Sequence, residues 1–429
     1  MSGLAFPRVR RPAVSILMVT HGAEDWVRRA LRAVLENTEP CYEMILVDNA
    51  SGAEMVRRLR SEVENARLVF NETNRGFGPA SNQAAALAAA PLLVLLNSDA
   101  LVHDGWLTFL RERMESRSDV GAVTPQLRNL DQTLQEAGAL LFGNGYTQFV
   151  GFGDDPEKPE YLFPRELDYA SAACLLVRRK AFFEVGGFDA TYAPAYYEDV
   201  DLCLELARKG YRTLYEPRAI VTHVRGASGN PELAKRLWTR NHPLFSERWK
   251  EFLAGRPEYT PEDGNPRLQA AARDASAVGR ILLATKQFPG PLPGGDPRAA
   301  GLATWLARAY PFARRTLLSA APLEKARMLE LAGLGWEIAN AESISRRTFH
   351  YDAVIWRGSE SQSVFGRLLE EALKSAASIL DPDGVAETMS ESTLVDRLAA
   401  AGVPRQDGES RRSLSTAEAI EPAPSARIH

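Results

Sequence analysis

The sequence predicts an α/β protein with a large Rossmann-like unit, a smaller Rossmann-like unit and a disordered tail. Three observations predict it. Apolar runs of strand length alternate with amphipathic helical stretches, the pattern of a parallel sheet with right-handed crossovers. Several of the runs stop at polar residues, notably Thr20, Asp48 and Asp99, as strands do at the ligand-binding edge of such sheets. The alternation ends in a polar, Pro/Gly-bearing stretch, Gly255 to Asn265, and then begins again.

Taken in order, Ala13 to Thr20 reads as a strand, Glu24 to Leu35 as a helix and Glu43 to Val47 as a strand. Glu54 to Val63 is a charged amphipathic helix and Arg67 to Phe70 a third strand. Asn74 to Pro79 is a glycine-rich turn into the alanine-rich helix Ala80 to Ala90. Pro91 to Leu96 is an apolar run that stops at Asn97-Ser98-Asp99, the form of a strand buried on both faces. Trp106 to Ser116 reads as a helix, Gly121 to Gln126 as a short strand, and 127–168 as irregular. Ala170 to Arg178 is a strand, Lys180 to Val185 a helical turn, and Glu198 to Lys209 a helix with an acidic start. Short strands at Arg212 to Tyr215 and Ala219 to His223 precede a helix from Glu232 to Phe252.

After the linker come strands at Arg280 to Thr285, Arg315 to Ser319 and Tyr351 to Trp356. Helices are expected at Ala299 to Ala309, Leu323 to Leu334 and Ser363 to Ala377, with a loop at Phe288 to Gly295. The resulting division is a basic arm at 1–12, a first unit at 13–262, a small α/β unit at 277–385 and a mostly disordered tail at 386–429. The tail is polar and Pro/Ser/Ala-rich from Pro404.

Composition narrows the function. A net charge of −4 with 25% charged residues gives no basic footprint for nucleic acid. The 3 cysteines, Cys41, Cys174 and Cys203, are widely separated and fit neither a disulfide framework nor a zinc site, which suits a reducing, cytoplasmic setting. The N-terminal arginines Arg8, Arg10 and Arg11 lack the apolar core of a signal peptide. No apolar run reaches membrane-spanning length, so any membrane association is expected to be peripheral, at the inner face.

In a parallel sheet Thr20, Asp48 and Asp99 emerge on one edge. Asp48 suits acceptance of a hydrogen bond from a nucleobase N–H. Gly76 and Gly78 let backbone approach a ligand, and Asn74 and Arg75 are placed to meet sugar or phosphate. Asp99 suits a divalent cation bridging two phosphates, Mg2+ or Mn2+, which keeps several waters.

These pieces resemble the family 2 glycosyltransferases, particularly their rhamnosyltransferase-like branch. The resemblance runs from Ala13 to about Phe252. In family order stand VSILMVT (14–20), LVDNAS (46–51), NRGFGPASN (74–82), LLNSD (95–99), ASAACLLVRRKAFFEVGGFD (170–189), YYEDVDLCLELARKGY (196–211) and VTHVRGAS (221–228). It implies a GT-A fold, a nucleotide-sugar donor, a divalent metal and inversion at the anomeric carbon. Asp99 then matches the last acid of the metal motif, with Asn97 in its commonly substituted first place. Asp48 matches the base-binding acid, Thr20 the nucleotide-contacting strand end, and His223 a histidine that completes the metal site in some members. Asp199 matches the catalytic base, with Glu198 and Asp201 supporting the metal or acceptor.

Each assignment has a plainer counterpart. Glu198, Asp199 and Asp201 are also acids favourable at a helix N-terminus, and His223 could be an ordinary surface histidine. Gly186-Gly187 reads as a turn, and Trp238 and Trp249 as packing residues. His21-Gly22 and Glu205 depart from the family pattern. The second unit resembles the N-terminal half of a GT-B glycosyltransferase through Phe288-Pro289-Gly290 and Pro293-Gly294-Gly295-Asp296, with no independent catalysis expected. The expected function is transfer from a UDP- or dTDP-sugar to a glycan, glycoconjugate or lipid-linked acceptor in cell-envelope polysaccharide assembly. The competing readings are a non-catalytic nucleotide-sugar-binding scaffold and a sugar-phosphate nucleotidyltransferase. The latter needs a glycine-rich basic loop after the first strand, which Thr20-His21-Gly22-Ala23-Glu24 does not supply.

Overall fold

The computed structural model describes residues 3–226, 230–259, 266–275, 277, 279–285, 297–310, 313–319, 325–339, 344, 350–357, 373–380, 391–401 and 403. In the first unit the chain runs β1 (Leu4–Ala5), β2 (Val14–Thr20), α1 (Glu24–Asn37), β3 (Tyr42–Asn49), α2 (Ala53–Glu62), β4 (Val63–Glu64), β5 (Arg67–Asn71), α3 (Phe77–Ala86) and β6 (Leu92–Asn97). There follow β7 (Ala100–Val102), α4 (Trp106–Glu115), β8 (Val120–Arg128), β9 (Leu134–Glu136), β10 (Ala139–Leu141), β11 (Thr147–Phe149) and β12 (Arg165–Leu167). It closes with β13 (Cys174–Arg178), α5 (Arg179–Glu184), α6 (Glu198–Arg208), β14 (Arg212–His223), α7 (Pro231–Arg248), α8 (Lys250–Leu253) and α9 (Pro266–Arg273).

The strands make a 10-stranded sheet in the order β12-β14-β8-β13-β6-β2-β3-β5, with β7 on β14 and β9 on β8. Its β5-β3-β2-β6 half is parallel. The expected all-parallel sheet is corrected beyond β6, because β13 runs antiparallel to both β6 and β8. A continuous apolar run such as Cys174–Val177 fits either direction, so periodicity carries no sign of it. Alternate residues feed two cores: Leu17, Ile45 and Leu95 face one, and Ile16, Met44 and Val94 the other.

Helix α1 buries Val27, Ala30, Leu31 and Val34, a single face at helical spacing. Helix α3 starts at Phe77, earlier than expected, since Pro79 is tolerated in a first turn. Its buried Gly78, Ala80, Ser81, Ala84 and Ala85 let it lie close to the sheet. The two short strands expected at 212–223 are one strand, β14, whose register shifts between Glu216 and Ile220, around Pro217. The stretch 127–168, expected to be irregular, contributes β9 to β12. The N-terminal arm is docked: β1 pairs with β4, and Leu4 and Phe6 are buried.

The second unit comprises β15 (Arg280–Thr285), α10 (Pro297–Ala309), β16 (Arg314–Ser319), α11 (Lys325–Gly333), β17 (Trp336–Ala339), β18 (Tyr351–Arg357), β19 (Leu373–Leu380) and α12 (Glu391–Ala400). Its 5-stranded sheet has the order β17-β16-β15-β18-β19 and is parallel throughout, the winding of a Rossmann-like unit. Two expectations are corrected. The helix placed at 363–377 overlaps β19, and the tail placed from 386 contains α12, which buries Leu394 and Leu398 in this core. The motifs at 286–296, the linker residues 260–265 and the tail beyond 403 lie outside the described residues. Among the described residues no helix is long and apolar enough to cross a membrane.

Candidate active site

The parallel strands bring their polar ends together. Thr20 pairs with Asp48 across β2 and β3, and Val19 with Asn97 across β2 and β6, so Asp99 follows in the adjoining turn. Thr20 and Asp48 are buried, yet Thr20 Oγ1 and Asp48 Oδ1 have no hydrogen-bond partner among the described residues. Buried polar atoms are normally paired, so these two stand out as candidates for contact with a ligand.

Beside them Asn49 organises the glycine-rich turn. Its Nδ2 donates to Asn74 Oδ1 at 2.9 Å and to the Gly76 carbonyl at 3.2 Å. Its Oδ1 accepts from Asn71 Nδ2 at 3.0 Å and from the Arg75 N–H at 3.1 Å. Asn74 and Arg75 themselves are exposed on this turn. Asn49 stood in the LVDNAS run, but its role depends on contacts distant in sequence.

Gly76 has φ +88°, and a Cβ there would stand 2.6 Å from Pro194 Cα. The turn thus packs directly on the segment leading to Glu198, and Phe77 N–H donates to the Pro194 carbonyl at 2.7 Å. Gly76→Ala is expected to cost about 1–3 kcal/mol in strain and displacement and to weaken donor binding as well. Urea unfolding with a parallel nucleotide titration checks both; unchanged values in each would show that the turn and the segment yield freely.

On the far side of β6, His223 Nε2 lies 3.2 Å from Asp99 Oδ1, and Asn97 Nδ2 lies 3.2 Å from the same nitrogen. Gln135 fixes the ring. Its Nε2 donates to the His223 carbonyl at 2.9 Å, leaving Oε1 to accept from Nδ1 at 2.7 Å. The proton therefore sits on Nδ1 in the neutral ring, and the Nε2 lone pair points toward Asp99, the arrangement of a metal-ligating histidine. Two donors of one small divalent ion stand roughly 3 Å apart when at right angles, so this pair fits such an ion. Among the described residues no group of three His, Cys, Asp or Glu side chains gathers as a metal cluster. A cation held by Asp99 and His223 would take its other ligands from water and substrate.

Asp199 lies partly open to the cleft, with Oδ2 accepting from the Ala172 N–H at 3.2 Å and Oδ1 from the Val200 N–H at 2.9 Å. The Ala173 carbonyl accepts from Asn97 N–H at 2.9 Å, so one backbone stretch ties Asp199 to the Asn97–Asp99 turn. Glu198 is buried, and its Oε2 has no partner among the described residues. Burial raises both pKa values, and the Asp199 charge raises that of Glu198 further. More backbone N–H donors favour the anion at Asp199 than at Glu198, which directs the shared proton of the pair toward Glu198.

Asp201 is a correction. Two residues along a helix is a rotation of about 200°, so Asp201 turns away from Asp199. Its Oδ1 accepts from Trp249 Nε1 at 2.8 Å and Tyr192 Oη at 3.2 Å, and pairs with Arg248 Nε at 3.2 Å. It secures α6 to the helices behind it, and the buried Trp249 packs as expected. Trp238 stacks on His242 with ring centroids 5.1 Å apart.

Glu136 was not singled out in the sequence. It is buried on β9, next to Gln135, with Oε1 accepting from the Ser171 N–H at 3.4 Å and Oε2 without a partner among the described residues. Burial, reinforced by the Asp199 charge, pushes its carboxyl up to about 8. Below the ordinary glutamate range the group is neutral whether folded or not. As pH rises toward 8 the unfolded chain ionises first, so wild type loses stability that a glutamine would keep. The Glu136→Gln protein should therefore gain melting temperature relative to wild type between roughly pH 4 and pH 8. A difference that stays constant across that range would show that Glu136 ionises freely in the fold.

The sequence profile of the glycosyl transferase family 2 matches residues 15–185. An O-antigen biosynthesis protein of Myxococcus xanthus is 30% identical over 63% of this chain and 21% of its own. An N-acetylglucosaminyl-diphospho-decaprenol L-rhamnosyltransferase of Mycobacterium tuberculosis is 28% identical over 56% of this chain and 84% of its own. A solved mannosyltransferase from Pyrobaculum calidifontis, in complex with GDP-Man and Mn2+, aligns with TM-score 0.43 and 20% identity over 71% of this chain and 83% of that one. The match covers only 30% and 21% of the first two curated relatives. Residues 15–185 form a glycosyl transferase family 2 domain.

Proposed function

We propose that the protein is a metal-dependent inverting glycosyltransferase that moves a sugar from a UDP- or dTDP-sugar to a glycan or lipid-linked acceptor in cell-envelope polysaccharide assembly. The observation that supports it is the Ala172–Ala173 backbone, whose N–H reaches Asp199 and whose carbonyl reaches Asn97, two residues before the Asp99 that pairs with His223, in the same sheet whose strand ends carry Thr20 and Asp48. The relative named as a rhamnosyltransferase supports a deoxyhexose donor and a polyprenyl-diphosphate acceptor.

In this reading Asp48 accepts from the base, Thr20 and the Asn74–Gly76 turn hold the nucleotide and diphosphate, and Asp199 takes the proton of the acceptor hydroxyl. That oxygen forms the new bond to the anomeric carbon from the face opposite the diphosphate. The bond from that carbon to the diphosphate breaks, and configuration inverts. Removing the proton as attack proceeds makes a poor nucleophile adequate. Asp99 and His223 would hold a divalent cation, which would supply charge stabilisation to the departing diphosphate. With no acid needed on the leaving group, Glu198 and Glu136, both pushed toward the neutral form, leave Asp199 as the charged acid of this cluster.

The test is incubation of the full chain with UDP- and dTDP-sugars and manganese, reading nucleoside diphosphate release. Release that needs metal supports the reading. Donor binding without release under any acceptor tried would favour a non-catalytic nucleotide-sugar-binding protein instead.

A further inference from the structure

Helix α7 buries Asn241 and Phe245 on its inner face. Leu233 and Leu244 stand outward, 51% and 45% exposed. At about 100° per residue they lie about 20° apart around the helix, with the half-buried Leu237 about 20° beyond. The three leucines form one apolar stripe. Arg240 lies about 20° to the other side of Leu233 and Arg236 about 60°, and both are exposed. Over residues 231–244 the helix carries Lys235, Arg236 and Arg240 against Glu232 alone, in a chain whose net charge is −4. Glu247, farther along, pairs with Lys250 at 2.7 Å.

Single exposed leucines are ordinary, but a leucine stripe bordered by cations is the composition of a helix that lies on a lipid surface. Its position agrees. Asn241 Nδ2 donates to the carbonyls of Tyr192, Ala195 and Tyr196 at 2.9, 3.0 and 2.8 Å, which fastens α7 to the segment leading into Glu198 and Asp199. Tyr196 is itself exposed. Arg225, two residues past His223, lies 5.4 and 5.6 Å from the ring centroids of Phe149 and the exposed Phe152, and its charge acts on Tyr196 as well. Exposed aromatic rings and a further cation thus continue from α7 toward the residues around Asp199. Pairing the stripe with that of a second copy would bring Arg236 and Arg240 of both into one desolvated seam, which like charges oppose. An anionic lipid surface answers the same cations and admits the leucines.

We propose that the outer face of α7 is a docking surface for anionic membrane lipid and holds the Asp199 side of the cleft near the bilayer. The proposal draws its purpose from the lipid-linked acceptor of the preceding reading, but vesicle binding is measured with neither donor nor acceptor present. Failure to dock would leave transfer untouched, and failure to transfer would leave docking untouched.

The test is co-sedimentation of the full chain with vesicles of equimolar phosphatidylcholine and phosphatidylglycerol, beside vesicles of phosphatidylcholine alone, at low and high salt. Saturable binding to the anionic vesicles is expected, weakening as salt screens the charges. Replacing both leucines, Leu233→Gln with Leu244→Gln, should lower partitioning tenfold or more, on the order of the apolar area withdrawn. Arg236→Gln should lower it roughly fivefold, as one basic residue near such a surface contributes. Both proteins should keep the wild-type melting temperature, since these side chains are exposed. Arg10→Gln with Arg11→Gln, on the N-terminal arm, should bind as wild type does. No binding by wild type overturns the proposal, and so does equal binding to phosphatidylcholine alone. Binding that survives the paired leucine change, or that is lost only with the arm arginines, overturns it too. So does self-association in solution that the leucine change abolishes while vesicles bind nothing.

Discussion

Asp199→Asn is expected to lower turnover by ~10²–10⁴-fold, the range that a positioned general base supplies, with donor affinity little changed. The donor contacts proposed at Thr20, Asp48 and the Asn74–Gly76 turn do not pass through this carboxylate. An amide can keep only one of the two acceptor roles toward the Ala172 and Val200 N–H groups. A stability loss of about 1 kcal/mol should accompany the kinetic one, far too little to explain it by unfolding. Single-turnover rates beside a donor titration separate lost chemistry from lost binding. Glu198→Gln is the sharper control. If Glu198 already carries the proton, its amide should stay within a few-fold of wild type. A dead Glu198→Gln protein beside an active Asp199→Asn protein would move the base to Glu198; two active proteins would leave the pair as the start of a helix.

What the sequence made legible follows from what each signal depends on. The ends of β2, β3 and β6 were readable because an apolar run that stops at a polar residue is a local pattern, and parallel pairing then aligns those ends. Gly76 was readable because glycine in a polar turn has few other uses. The residues that hold these groups in place were not. Gln135 and Glu136 sit on β9, a strand of 3 residues that exists only by pairing with β8. Nothing in its composition separates it from the loops around it. Gln135 reaches His223, and Glu136 reaches Ser171, across long stretches of chain.

Asp201 misled for a related reason. Its spacing from Asp199 puts it on the opposite face of α6, but an acidic helix start alone does not say which acid meets the cleft. The helix expected at 363–377 fails where helix-forming residues end in β19, because pairing with β18 outweighs local propensity there.

Asp99→Ala should abolish transfer and remove the metal-dependent part of donor affinity, while any metal-independent contact to the base through Asp48 persists. His223 contributes the second donor, so His223→Ala should leave weakened activity that rises again with added manganese. Gln135→Leu is the finer probe. It touches neither cation nor substrate, but it deletes the acceptor for His223 Nδ1–H, which stands 2.7 Å away. The ring is then free to place its proton on Nε2, where no metal can bind. Outer partners of this kind typically alter metal affinity 10–100-fold, so the apparent manganese requirement should rise by about that factor with the maximal rate largely retained. A purely structural Gln135 would lower the melting temperature without moving the manganese titration. Wild-type activity that persists undiminished in EDTA would remove the cation from the mechanism and leave Asp99 and His223 as neighbours at a strand end.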